Sequence, residues 1–285
     1  MNNIQIHHNI KYKFFDKNDP AKNLRLYIGR NEVSYAIINS NTNTVVLLKS
    51  FRLTDTDNFF TFKLAVKDLF EQEEAFTYSY QKVSVGLHAA PFTLIPEKFF
   101  DAGKLDKYLS FNVPFDGSGR IHYDLIESQS AYLVCGIDYY LLESLDSHFP
   151  RYNLAHAATF WLNGLFKYRH NTSPLSGLYA NFQKHYLDIA VFQNGKLSLL
   201  NTYYYEAGND ILYYILNAAR QTKLDIKSQP VVFLGDITED YPHYKLCDKF
   251  LPTLTPGNRP QYLHYCDEME ILPANYHHNL FCIDQ

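Results

Sequence analysis

The sequence predicts an α/β protein built from two lobes, each with a mixed sheet and crossover helices. Three observations support this prediction. The chain has 285 residues, 46% of them hydrophobic, which is enough apolar material for two ordinary cores. Each half contains three β-rich runs, then a helical pattern, then a buried strand. The halves repeat this order at an offset of about 150 residues, as a repeat of pattern without similarity at individual positions.

The first half opens with a polar, irregular stretch, residues 1–22, which is expected to form a partly ordered leader. Three β-rich runs joined by turn residues follow and are typical of an antiparallel meander: 24–28, 32–38 and 44–48. Broadly helical spacing of apolar residues predicts a helix over about 58–71. A buried strand is expected next, over 82–87.

The rest of the first half is less regular. Residues 101–130 mix Gly, Pro, Ser and Asp and are expected to form an insertion, and a buried strand is predicted for 131–136. Asp138 is placed to cap a helix that runs to about residue 146. A longer helix is predicted over about 154–168, before the break at 171–174. The predicted lobes are therefore 1–170, which includes the linking helix, and 171–285.

The second half repeats the order of elements. Three strands are predicted over 176–181, 185–192 and 197–202. Asn194-Gly195 joins the last two as a tight hairpin turn, because this pair readily adopts positive φ. A helix over about 210–222 and a buried strand over 231–235 complete the pattern.

Three antiparallel strands followed by a crossover helix and a parallel strand form the ribonuclease H-like topology. Two such lobes in one chain give an actin-like ATPase arrangement, with a cleft between the lobes. This is the fold class that the pattern predicts.

Two short motifs carry a resemblance to a known family. The stretch Pro91–Glu97, which follows a strand, and the C-terminal stretch Pro273–Cys282 are similar to segments of an uncharacterised bacterial family, DUF3822, known mainly from Bacteroidetes. The resemblance covers nearly the whole chain and implies an actin-like ATPase fold.

The residues do not match the phosphate-binding turns that this fold implies. Actin-like ATPases hold phosphate at two hairpins through D-x-G-[ST] turns, in which Asp organises a metal-bound water and Gly admits the phosphate. At the first hairpin Gly29 is present, but Tyr27 takes the acid position and Arg30 the hydroxyl position. At the second, residues 181–184 contain no acid, glycine or hydroxyl, because Asn181 takes the acid position.

Five residues remain as candidates for a degenerate nucleotide cleft. Gly208 and Gly235 take positions where related proteins have paired glycines, and both also suit ordinary chain turns. Arg30 and Lys184 could meet phosphate as point charges in place of a metal, with Gly29 beside them. No cofactor is expected, and ATP is the ligand that these positions leave open.

Other chemistry finds little support. Neither 24–28 nor 83–87 contains the acids of a ribonuclease H-type nuclease. The C-terminal His and Cys residues lack the paired spacing of a zinc site, so no metal is expected. His88 follows a strand and is interpreted as a solvated or capping loop residue. Strand alternation predicts that Asp188 points outward into solvent.

Charge and segment composition limit the partners. The net charge of −4, with basic residues scattered among acidic ones, argues against nucleic-acid binding. The chain shows no secretory signal and no window long and apolar enough to span a membrane, so a cytoplasmic protein with reduced thiols is expected.

Two functions remain open. The first is a non-enzymatic interaction or scaffold protein that binds a protein partner. A homo-oligomer is compatible with this function. The alternative is a binder of nucleotide or another small ligand in the cleft, with weak or no hydrolysis. The loss of the acids at both hairpins favours the first.

Overall fold

The structure is a computed structural model that describes residues 4–54, 59–88, 90–113, 117, 119–167 and 174–284. Contacts between Cα atoms divide the chain into two compact units. Unit 1 comprises Met1–Lys167, Gln261–Met269 and Asn279–Gln285, and unit 2 comprises Tyr168–Pro260 and Glu270–His278. The predicted lobe boundary between residues 170 and 171 lies outside the described residues. Two C-terminal segments thus belong to the unit that begins the chain.

Unit 1 begins with a seven-stranded sheet interrupted by an insertion. Its helices and strands in chain order are β1 (Ile4–Lys11), β2 (Lys22–Ile28), β3 (Glu32–Asn39), β4 (Thr44–Leu53), α1 (Phe59–Gln72), β5 (Lys82–Leu87), β6 (Phe92–Pro96), α2 (Leu105–Asn112), β7 (Gly119–Ile126), β8 (Ala131–Asp138), α3 (Tyr139–His148), β9 (Asn153–His156) and α4 (Ala157–Lys167).

Unit 2 and the C-terminal return contain the remaining elements. They are β10 (Gly177–Phe182), β11 (Tyr186–Gln193), β12 (Lys196–Tyr204), α5 (Gly208–Thr222), β13 (Val231–Gly235), α6 (Pro242–Asp248), β14 (Leu254–Pro256), β15 (His264–Tyr265) and α7 (His278–Cys282). Of these, β15 joins the sheet of unit 1.

The two main sheets share one strand order. The large sheet of unit 1 runs β1-β4-β3-β2-β5-β9, and the sheet of unit 2 runs β12-β11-β10-β13-β14. In each, the first three strands of the repeat are antiparallel, and the strand after the helix pairs parallel with the first. The predicted repeat of three strands, a helix and a strand is therefore confirmed in both units.

The predicted insertion, residues 101–130, contains α2 and β7, and β7 forms a separate sheet with two strands that flank the insertion. Strands β6, β8 and β7 make a three-stranded antiparallel sheet. Helix α3 begins where predicted, because the Asp138 carboxylate accepts a hydrogen bond from the Tyr140 amide at 2.8 Å. The insertion thus contains more regular structure than its Gly- and Pro-containing sequence indicates.

Two predictions of local structure were wrong. The polar leader contains β1, whose residues pair antiparallel with β4 from Ile4↔Leu53 to Lys11↔Leu47. The helix predicted to start near residue 154 is preceded by β9, which pairs parallel with β5 and ends at His156. The two strands lie at opposite ends of the strand order of this sheet, and β9 brings His156 to one edge.

The core of unit 2 lies between its sheet and helices α5 and α6. Alternate residues of β11, Leu187, Ile189 and Val191, face this core. Ile211 and Ile215, one helical turn apart, pack on it from α5. The hairpin between β11 and β12 turns at Asn194 and Gly195, whose φ values of 51° and 81° confirm the predicted turn.

Candidate functional site

The first hairpin turn lies between β2 and β3 of unit 1. The Gly29 amide donates to the Glu32 carbonyl at 2.9 Å and closes the turn. Tyr27 is buried, and its ring packs on Gly29 so closely that a Cβ on this glycine would lie 2.9 Å from ring carbon Cε1. Arg30 is half-buried in the turn. The tyrosine ring therefore occupies the space beside the glycine.

Two histidines extend this site along the carboxyl ends of the parallel strands. Tyr27 precedes the end of β2, His88 follows β5, and His156 ends β9. The ring centroids of Tyr27 and His88 lie 6.3 Å apart, and those of His88 and His156 6.0 Å apart. This edge of a parallel sheet is where α/β proteins commonly bind ligands. His88 is only 3% exposed, so its interpretation as a solvated residue was wrong.

Asp124 of β7 ties the insertion to this edge. Its Oδ2 accepts hydrogen bonds from the His156 amide at 2.8 Å and from the Thr159 hydroxyl at 3.0 Å. Its Oδ1 lies 2.8 Å from Nε2 of His122. Since both oxygens are engaged, Asp124 holds the junction of β7, β9 and α4 rather than presenting an open carboxylate.

The buried ring of His156 is fixed in one tautomer by its neighbours. Its Nδ1 accepts a hydrogen bond from the Ala158 amide at 3.2 Å, so this nitrogen carries no proton. Its Nε2 lies 3.2 Å from the Ala90 carbonyl and therefore donates to it. Through these two hydrogen bonds, a neutral His156 connects the start of α4 to Ala90, which follows β5.

The second hairpin position, in unit 2, holds a carboxylate that the sequence analysis placed in solvent. Asp188 pairs with Asn181 across β11 and β10 and is only 3% exposed. Its Oδ2 accepts from Nδ2 of Asn181 at 3.3 Å and from Nε2 of Gln183 at 3.2 Å. Its Oδ1 accepts from the Thr202 hydroxyl at 2.7 Å. Asp188 lies on the face opposite Leu187 and Ile189, as predicted, but its predicted exposure to solvent is wrong.

Asp188 obeys strand alternation, but the face on which it lies is covered as well as the core face. Residues Leu187 to Phe192 are all buried. In such a strand a polar side chain must find partners inside the protein. A carboxylate therefore lies on the strand next to the acid position, and three side chains of the same unit bind it. Lys184, in the adjoining turn, is exposed.

The amide end of α5, at Gly208, already has a negative group. Asp210 Oδ2 accepts hydrogen bonds from the amides of Glu206 at 3.0 Å and Ala207 at 2.9 Å. These bonds lower the pKa of Asp210. The glycine itself is needed for packing, since a Cβ at Gly208 would lie 2.9 Å from Nδ1 of His243. The carboxylate thus stands where an anion would approach the helix.

Gly235, at the end of β13, is enclosed by the C-terminal motif. Its φ of 83° and a virtual Cβ only 2.2 Å from the Phe182 carbonyl oxygen require glycine. The Gly235 amide donates to the Asn275 carbonyl at 2.9 Å. In return, Nδ2 of Asn275 donates to the carbonyls of Gly235 at 3.1 Å and Ile237 at 2.6 Å. Asn275 therefore closes the strand end.

Comparison with known families decides the membership of the chain. A family model described as a protein of unknown function, DUF3822, matches residues 13–254. The chain belongs to the DUF3822 family. The predicted resemblance to this family is thereby confirmed; the matched residues include the Pro91–Glu97 motif and end before the Pro273–Cys282 motif. No curated protein matches the DUF3822 chain by sequence.

Solved structures confirm the fold. A protein from Bacteroides thetaiotaomicron, described as having an actin-like ATPase fold and unknown function, superposes on the DUF3822 chain with a TM-score of 0.71. The two are 19% identical over 88% of this chain and 94% of that one. The PilM–PilN type IV pilus biogenesis complex gives a TM-score of 0.54 at 12% identity, over 91% and 96%. The DUF3822 chain has the actin-like ATPase fold.

The five candidate ligand residues are distributed over both units of the DUF3822 protein. Gly29 and Arg30 share one turn of unit 1. In unit 2, Lys184 and Gly235 lie near the adjacent ends of β10 and β13, where Phe182 pairs with Gly235, and Gly208 begins α5. Three further residues at these sheet edges were not predicted from the sequence. Asp124 and His156 bind each other at the edge of the unit 1 sheet, and Asn275 binds the backbone of Gly235.

The described residues also bear on metal binding and on membrane insertion. Among those residues, no three His, Cys, Asp or Glu side chains are grouped to hold a metal ion. Within the same part of the chain, no helix combines the length and apolar character needed to cross a bilayer.

Proposed function

We propose that this DUF3822 protein is a non-enzymatic interaction protein that retains the actin-like fold without nucleotide hydrolysis. One observation carries the proposal: at positions where the fold binds nucleotide, the chain's own side chains are already engaged with each other. Tyr27 packs on Gly29, Asp188 is bound by three side-chain donors, and Asn275 closes Gly235.

The electrostatics of these positions support the same proposal. Magnesium bound to a triphosphate needs carboxylate or water ligands, and the phosphates need backbone amides that are open to them. Tyr27 and Asn181 supply no carboxylate at the acid positions. Asp210 adds a negative charge at the start of α5, where it would repel a phosphate. Tight binding of magnesium triphosphate is therefore disfavoured at each position in turn.

A solved structure with the same fold favours a protein partner. The PilM–PilN structure is described as a complex for type IV pilus biogenesis, so this fold occurs in an assembly of proteins. Fold alone does not determine function. The likeness supports assembly as the kind of activity, and the engaged side chains support the loss of turnover.

Binding of a nucleotide or small ligand without hydrolysis is the second candidate. Arg30 and Lys184 favour it, because each places a cation on one of the two turns. Their charges could meet phosphates without a metal.

Turnover and binding are measured separately. Purified protein with ATP and magnesium is expected to release no phosphate above a blank, and appreciable turnover would overturn the proposal. Thermal shift with ATP, with and without magnesium, tests the second candidate, because a ligand that binds the folded state raises its melting temperature. In that case Arg30→Ala and Lys184→Ala should remove the shift, whereas exposed Lys196→Ala should keep it.

A further inference from the structure

The outer edge of β12 is an open sheet edge in unit 2. This strand is first in its sheet, and among the described residues no strand pairs with its outer side. The Tyr205 amide donates to the His185 carbonyl, so Tyr205 faces β11. Alternation then turns the backbone groups of Leu200, Thr202 and Tyr204 outward. Consistent with this direction, the Thr202 amide donates to the Asn201 side chain at 2.9 Å.

This edge carries few of the features that normally prevent pairing. Long edges are usually interrupted by proline or charged residues. β12 has nine residues, contains no proline, and has a single charged residue, Lys196, at its first position. Tyr204 at its other end is 50% exposed. The edge is therefore suited to accept another strand.

Unit 1 shows what covers the equivalent edge. Its third repeat strand, β4, takes the place in the sheet order that β12 takes in unit 2. The outer side of β4 is paired antiparallel with β1 over most of its length and parallel with β15 at its start. The chain thus supplies its own antiparallel strand for one edge.

We propose that two copies of this chain pair β12 with β12 in antiparallel fashion and join their unit 2 sheets into one continuous sheet. The inference rests on the proposed assembly function and names its partner as a second copy. Two identical edges that meet about a twofold axis must be antiparallel, and each contributes the same surface.

The sequence of β12 is complementary to itself in one register. A twofold axis at Thr202 places Thr202 opposite its copy and Leu200 opposite the Tyr204 of the second chain. Threonine pairs stabilise antiparallel strands. The Leu200 side chain would bury apolar surface against the ring of the facing tyrosine. Lys196 lies outside the paired stretch 200–204, so no like charges face each other. The register irregularity opposite Val191 and Phe192 also lies outside this stretch. In the pair, the Thr202 amide exchanges the Asn201 side chain for a backbone carbonyl.

The oligomeric state tests this inference. Sedimentation velocity over a concentration series is expected to show a species of twice the chain mass. Tyr204→Pro removes an outward amide donor without removing a bond to β11, and should convert the protein to a monomer. Tyr204→Ala loses the same ring but keeps the donor, and should retain more dimer. A monomer at all concentrations, or a dimer that Tyr204→Pro leaves intact, would overturn the inference.

Hydrogen exchange on the unmodified protein provides a test that does not depend on a variant's folding. The amides of Leu200, Thr202 and Tyr204 are expected to exchange more slowly as the protein concentration rises, whereas α5 amides should not respond. Unchanged exchange at these three amides overturns the inference. If the protein is monomeric and shows no ATP turnover, only the β12 pairing is refuted. If it hydrolyses ATP, the proposed function is refuted.

Discussion

Asp188 is a buried carboxylate that accepts hydrogen bonds from side chains of β10, of β12 and of the turn between β10 and β11. Replacing it with alanine is expected to lower the free energy of unfolding by about 1–3 kcal/mol, because Asn181, Gln183 and Thr202 would lose their common acceptor in a buried site. Urea unfolding followed by circular dichroism measures the change. Asp240→Ala is the matched control, since that carboxylate is 98% exposed and its removal should leave the unfolding free energy nearly unchanged. Equal losses would contradict the assigned contacts.

His278 makes stability depend on pH. Burial lowers the pKa of its ring from an ordinary 6.5 to about 4. Between these values the unfolded chain binds the proton more readily than the folded protein, so this contribution is complete above about 6.5 and is lost as the pH falls towards 4. The expected loss approaches roughly 3 kcal/mol.

Unfolding by urea at a series of pH values measures the contribution of His278. The variant His278→Gln should flatten the dependence between pH 6.5 and pH 4, since it removes the titrating group. The exposed His264→Gln should keep the slope of the unmodified protein. A slope that survives in His278→Gln would assign the titration to another group.

Side-chain environments were harder to predict than the elements that carry them. Asp188 and His88 both follow or interrupt apolar runs, and the alternation rule treats a polar residue there as solvated. The expected exposure is wrong because β11 is covered on both faces and the end of β5 is enclosed by its neighbours. Such burial depends on residues distant in sequence, which a local pattern does not contain.

At the scale of elements, the strand order followed from local periodicity because each repeat is built from neighbours along the chain. The missed strands have other causes. β1 has isoleucines separated by polar residues and is largely exposed. Its strand conformation therefore depends on pairing with β4, which the local sequence does not show. β9 has four residues and runs directly into α4, so its apolar residues merge with the helical pattern.

Helix α4 approaches α7 at Gly164. A Cβ at this position would lie 2.3 Å from Sγ and 2.8 Å from Cβ of the buried Cys282. Gly164→Ala is expected to lower the free energy of unfolding by about 1–3 kcal/mol through overpacking. The intrinsic gain of alanine in a helix, about 1 kcal/mol, acts in the opposite direction. Thermal and urea unfolding measure the net change.

The control for this contact is Gly103→Ala. A Cβ at Gly103 would meet only Oδ1 of Asp101 within 4 Å, at 3.3 Å, and this residue is exposed. Its replacement should leave the unfolding transition nearly unchanged. If Gly164→Ala proved as stable as Gly103→Ala, α7 would not be packed on α4 as the structure has it.

At the scale of the whole chain, the C-terminal segment contributes to the core of both units. The segments Gln261–Met269 and Asn279–Gln285 belong to unit 1, and Glu270–His278 belongs to unit 2. In unit 1, Nη1 of buried Arg25 donates to the Phe281 carbonyl at 2.6 Å. In unit 2, Asn275 binds the backbone at Gly235. Neither unit is therefore complete before the end of the chain is in place.

Truncation after Pro260 tests this dependence. The truncated chain would leave the Arg25 guanidinium, whose pKa is lowered by burial, without its carbonyl partner, and would also open the end of β13. Unpaired buried charge is strongly destabilising, and the combined loss is expected to exceed about 5 kcal/mol, which is comparable to the whole stability of a domain. The near-ultraviolet circular dichroism signal and the cooperative melting transition should disappear. Adding residues 261–285 as a separate peptide should restore part of both signals, whereas a truncated chain that melts like the full-length protein would show that each unit folds without the C-terminal return.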